Sequence, residues 1–135
     1  MAEIKVVLSN PKTGKSYQKV LKDEDSKRLM GLKIGDKLKG ESIDLAGYEF
    51  EITGGSDFAG FPMRRDVQGI GRKKILATHG VGLRKKRNAR GVKIRKSVAS
   101  NTIYDKTAQV NMKVLKEGKM PLGEEKKKEE EKKEA

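Results

Sequence analysis

The chain contains no cysteine, no tryptophan, one histidine and only six aromatic residues among its 135. Without cysteine there is neither a disulfide framework nor a thiolate metal site. A single histidine, His79, excludes a multi-histidine metal centre. Hydrophobic residues make up 34%, against about 45–50% (a figure that also counts glycine) in ordinary domains. Such a chain buries a core only if its apolar residues are concentrated in well-patterned segments. No apolar run approaches the ~20 residues of a membrane-spanning helix. The opening MAEIKVVLSN is too short and too polar for a secretory signal. The expectation is a soluble cytosolic protein with no membrane partner and, at this length, one modest domain.

What is present in excess is positive charge, and it is concentrated. Residues 64–96 hold thirteen Lys and Arg against a single acid, Asp66, a formal +12 within a whole-chain +13. Residues 1–63 hold ten bases and ten acids. The protein therefore reads as a near-neutral body with one basic belt. A field of that density acts first on phosphate polyanions, by neutralising charge and releasing counterions.

Hydrophobic periodicity places the elements. Ile4, Val6 and Leu8 alternate as one face of a strand, and a second strand, Ser16–Leu21, closes a hairpin over Asn10–Gly14. Asp23-Glu24-Asp25 followed by Lys27, Arg28 and Gly31 matches a two-turn helix, with acids at its start and bases near its end. A metal site is the other reading of those acids. A short strand is expected before Leu45. The cleanest alternation is Tyr48–Thr53, with Tyr48, Phe50 and Ile52 inward. The stretch GGSDFAGFPM (54–63) is expected to interrupt regular structure. Its Asp57 reads as a turn residue before a catalytic carboxylate, and Phe58, Phe61 and Met63 either fold onto the core or form an apolar tip. Lys74–Thr78, Val92–Val98 and, after a turn expected near Ser100-Asn101, Thr107–Leu115 complete the strands, the last with Ala108, Val110, Met112 and Val114 inward. Residues 124–135, a Glu/Lys tail, cannot bury a core face and are expected to be disordered or a single helix. A mainly β fold follows: a small β-barrel of about six or seven short strands with one short helix, over residues 1–123.

No catalytic constellation stands out. Gly69-Ile70-Gly71 lacks the third glycine of a dinucleotide fingerprint, and neither it nor Gly80-Val81-Gly82 leads into a P-loop Lys. His79 reads as a strand-end residue before an RNA contact. The belt's bases come in runs, Arg72-Lys73-Lys74 and Arg84 to Arg87, and then as alternate residues Lys93 and Arg95. A solvated surface would instead intersperse acids. No helix-turn-helix, zinc finger or basic zipper is visible, and so few aromatics make stacking on single strands a minor contribution. Recognition of folded, double-helical RNA through backbone and shape fits better.

Four segments carry a family resemblance: ITGGSDFAGFPM (52–63), RKKILATHGVGLRKKR (72–87), RGVKIRKSV (90–98) and the terminal strand. Together they resemble the S-six-e family of archaeal and eukaryotic small-subunit ribosomal proteins, over about residues 1–123. The resemblance implies a small β-barrel that binds small-subunit ribosomal RNA structurally, as a monomer among neighbouring ribosomal proteins, in the cytoplasm. It implies no catalysis, cofactor, metal or small-molecule substrate. It maps RNA contacts onto Arg64, Arg65, Arg72, Lys73, Lys74, Arg84, Lys85, Lys86, Arg87, Arg90, Lys93, Arg95 and Lys96. A possible partner-contact loop comprises Gly54, Gly55, Asp57, Phe61, Pro62 and Met63. Eukaryotic members end in a helix with phosphorylated serines. This chain has no serine after Ser100, so that regulation is expected to be absent, and the short form resembles archaeal members. A free RNA-processing or translation factor is the alternative function.

Overall fold

In the computed structural model, which describes residues 3–84, 91–119 and 122, seven strands form two sheets. The larger has five strands in the order β2-β1-β7-β4-β3: β1 (Ile4–Asn10), β2 (Lys15–Leu21), β3 (Lys37–Lys39), β4 (Glu49–Asp57) and β7 (Thr107–Lys116). β1 and β2 form the expected hairpin, turning at Gly14 with φ +69°. β7 lies parallel to β1 and antiparallel to β4, at the centre of the sheet. The second sheet is the hairpin β5 (Arg72–Ala77) and β6 (Ile94–Ala99). One helix, α1 (Asp23–Leu29), and a 3-10 turn (Gly40–Ile43) complete the described elements.

The core follows from the alternation. Ile4, Val6 and Leu8, then Phe50 and Ile52, then Val110, Met112 and Val114 are all buried on one face of the large sheet. Leu21, Leu29, Ile43 and Ile103 close over them. Each fully buried side chain of this size stabilises by about 1.5–3 kcal/mol relative to exposure. Ala108, expected inward with them, is only partly buried. Asp23, Glu24 and Asp25 occupy the first turn of α1, where they complement its dipole.

Three expectations need correction. The sheets are open, not a closed barrel: among the described residues β2 and β3 remain sheet edges, and β5 and β6 form a separate two-stranded sheet. The sheets are joined instead through the irregular segment 62–64, by bridges Ser56–Pro62 and Met63–Ala99 and by the bond Arg64 N–H to Ala99 O at 3.1 Å. Proline and short irregular backbone hold two sheets together here without the continuous ladder that closure requires. Second, the glycine pair does not end β4, which continues to Asp57 through a bulge between Ile52 and Gly54. A Cβ on Gly55 would stand 2.3 Å from Gln109 O and 3.0 Å from Met63 Sδ, so glycine is what lets β7 approach. Third, Ser100-Asn101-Thr102 is no exposed turn. All three residues are buried, with Ser100 at 0% exposure. The tail 124–135 lies outside the described residues.

Candidate nucleic-acid interface

β5 begins with Arg72-Lys73-Lys74, and its antiparallel register with β6 decides which way each base faces. Lys74 is opposite Ser97 and Leu76 is opposite Arg95, so Lys74, Leu76 and Arg95 share one face, and all three are exposed. Lys73, opposite the buried Val98, shares the other face with Lys96. The Lys73 ammonium turns back to donate to Gln68 O at 2.6 Å. Lys93 lies one residue before β6 and lines an open cleft of about 370 Å³ with Arg64, Asp66, Leu76, Ala77, Thr78 and His79. In that cleft Thr78 Oγ1 and His79 Nδ1 are hydrogen-bonded at 2.9 Å. Arg65 and Arg84 are exposed. Lys85, Lys86, Arg87 and Arg90 lie outside the described residues.

Two belt arginines are engaged inside the protein. Arg64 donates from Nε and Nη2 to both carboxylate oxygens of Asp66, at 2.9 and 2.8 Å. Its Nη1 donates to Val81 O at 3.0 Å. These hydrogen bonds raise the Arg64 pKa and hold the Asp66 carboxyl below its ordinary value. Arg64, held by the belt's single acid, therefore ties the start of the belt to the loop at 79–81. Arg72 is engaged differently. Its Nε lies 3.0 Å from Asp57 Oδ2, and that carboxylate is 1% exposed. The approach is off hydrogen-bond alignment, so Oδ2 rests on charge attraction alone. The same guanidinium lies over the Phe58 ring at 5.1 Å and the Phe61 ring at 5.0 Å, within cation–π range.

Asp57 organises the loop that follows β4 from its other oxygen. Oδ1 accepts from Ala59 N–H at 3.0 Å and Phe61 N–H at 2.9 Å, the local bonding that makes Asp a turn residue. Met63 is core at 4% exposure, Phe61 and Pro62 are partly buried, and Phe58 is exposed. The loop thus divides between core and surface. Sequence reasoning missed the Asp57–Arg72 pair and the anchoring residues Ser100 and Asn101. Both Ser100 N–H and its hydroxyl donate to Gly71 O, and Asn101 N–H donates to Val67 O. Fifteen residues separate Asp57 from Arg72, and only the fold brings them together.

Outside the belt some bases meet acids, among them Lys113 with Glu51 at 2.9 Å and Arg28 with Asp25 at 3.5 Å. Within it, Arg65, Lys74, Arg84, Lys93, Arg95 and Lys96 are exposed with no acidic partner among the described residues. A β hairpin flanked by Gly-rich loops and carrying cations with no acidic partner among the described residues defines a class: a β protein with an exposed basic surface. Sequence comparison supplies the particular family. The profile of the family described as ribosomal protein S6e matches residues 4–126, and the chain belongs to that family. It is similar to the small ribosomal subunit protein eS6 of Archaeoglobus fulgidus, at 46% identity over 90% of this chain and 94% of that one. The protein of the same name from Methanococcus maripaludis is 44% identical over 88% of this chain and 92% of its own. That of Thermoplasma acidophilum is 41% identical over 89% and 94%.

Proposed function

We propose that the chain is a structural constituent of the small ribosomal subunit in the cytoplasm. It binds ribosomal RNA through the belt at 64–96 and catalyses no reaction. One RNA-binding domain spans residues 1–123, and the Glu/Lys tail at 124–135 is an appendage to it. Membership of the S6e family and the names of its archaeal relatives support the ribosomal assignment. The observation that carries the binding mode is the β5–β6 hairpin, whose Lys74, Arg95 and Lys96 are held on a hydrogen-bonded ladder with no acidic partner among the described residues. Cations fixed in this way meet phosphates without first being freed from internal partners or ordered from mobile loops.

The belt residues take different parts. Arg65, Lys74, Arg84, Lys93, Arg95 and Lys96 neutralise phosphates, joined by Lys85, Lys86, Arg87 and Arg90. Lys73 reaches phosphate on releasing Gln68 O. Arg64 and Arg72 position the loops between which the RNA lies. Neighbouring ribosomal proteins pack on the remaining surface, with one copy of the chain per subunit. Sedimentation tests the assignment. The chain stays with small subunits washed at moderate salt, whereas a free translation or RNA-processing factor would leave them.

A further inference from the structure

Phe58 has an unusual position for a large apolar side chain. It is 63% exposed, yet the loop that presents it is held by a dense set of hydrogen bonds. Asp57 N–H donates to Phe61 O at 3.1 Å, Gly60 N–H to Asp57 O at 3.0 Å, and Phe58 N–H to Lys106 O at 3.0 Å. The Asp57 carboxylate adds its two bonds to the Ala59 and Phe61 amides. Arg72 lies against the ring, and its charge is fixed there by the buried Asp57. Were Arg72 to leave for a phosphate, Asp57 would remain buried and unpaired, a heavy cost. The guanidinium therefore stays, and the ring it backs is left with exposed surface turned to solvent.

We propose that Phe58, backed by Arg72, is a stacking platform for one unpaired nucleobase of the bound RNA. The inference rests on the RNA-binding reading above and adds a subsite to it. Three observations favour a base over a protein side chain. The ring stands at the entrance to β5, where Arg72-Lys73-Lys74 begin the cation field that draws in a phosphate chain. The exposed neighbours Ala59 and Gly60 add little apolar area to the ring, which leaves the surface far below the several hundred Å² of a protein-docking patch. A base stacked on an aromatic face needs no more than that. The hydrogen-bonded loop also leaves little ordering to be done on binding.

Because the chain has no tryptophan, Phe58→Trp in the full chain places a single fluorescent reporter at the site. Titration with small-subunit ribosomal RNA is expected to quench the emission of that introduced indole in step with binding. Phe58→Ala and Phe58→Leu are both expected to weaken that binding roughly five- to 150-fold, the range for loss of one stacked base, at an unchanged salt slope. Leucine keeps apolar bulk without a π face, so a Phe58→Leu protein that binds like the parent would overturn stacking. Unquenched indole emission with binding otherwise steep in salt would overturn the platform while leaving the belt's role intact. Quenching by purified small-subunit proteins in place of RNA would overturn it in favour of a protein contact. If the parent chain does not bind the RNA at all, the platform falls together with the reading it rests on.

Discussion

At Arg72 one guanidinium meets a buried carboxylate and two aromatic rings, and the energetics of burial set what its removal does. Arg72→Ala is expected to destabilise the fold by about 3 kcal/mol, toward the lower end for a broken buried pair because the Arg72 side chain is itself 37% exposed. Adding Asp57→Asn keeps an acceptor for the Ala59 and Phe61 amides and removes the stranded charge. The double variant should therefore be more stable than Arg72→Ala alone, as read from urea midpoints. Gly55 and Gly54 make a second contrast. Gly55→Ala places a methyl against the β7 backbone and is expected to cost about 1–3 kcal/mol, whereas Gly54 has open space around its Cβ position and Gly54→Ala should stay within about 0.5 kcal/mol. The third case is Asp66. Its pKa is lowered in the folded state by hydrogen bonds from Arg64, so its contribution is present above the ordinary value near ~3.9. That contribution is lost as pH falls through the folded value. Its carboxylate is 65% exposed, so the effect is small. Asp66→Asn should melt slightly below the parent at pH 7 and together with it at about pH 2.

The elements were legible wherever period two was clean. β1, β2, β4, β5, β6 and β7 all overlap the expected strands, although β5 begins two residues earlier, at Arg72, and β4 runs on to Asp57; α1 lies where acids precede bases. What alternation cannot show is a strand that runs on through glycine. Residues 54 and 55 carry no side chain to alternate, and their strand character comes from β7 lying alongside. Ser100-Asn101-Thr102 misleads for a related reason: buried polar residues that satisfy backbone groups have the composition of a turn. The basic residues of the candidate interface were legible as charge, but their division was not. Nothing local distinguishes Arg64, bound to Asp66 and Val81, from Arg65, which is exposed. A functional test at this scale is the triple substitution of Lys74, Arg95 and Lys96 by Ala. Each lost phosphate contact lowers the salt slope by about one, so the triple variant should bind with a slope shallower by about three. Its stability should match the parent's, since all three side chains are exposed on the hairpin.

On the scale of the whole molecule, a neutral body with a basic belt was legible in the sequence, but not the way the strands close. Whether strands form a barrel depends on whether β2 and β3 find distant partners, and each carries the same alternation whether it does or not. Here they remain edges, and a short irregular segment couples the small sheet to the large one. That arrangement leaves the β5–β6 hairpin outside the large sheet, its exposed face carrying Lys74 and Arg95. Charge balance elsewhere in the body then directs the protein's net field through one region. The central claim is that this field binds small-subunit ribosomal RNA by neutralising phosphates. It is tested most directly by equilibrium binding of the full chain to that RNA across a salt series. With roughly five to eight phosphates neutralised, log K should fall against log salt with a slope of about −4.5 to −7. A slope of about −1 or shallower would contradict the account, because one phosphate contact would then suffice to explain binding.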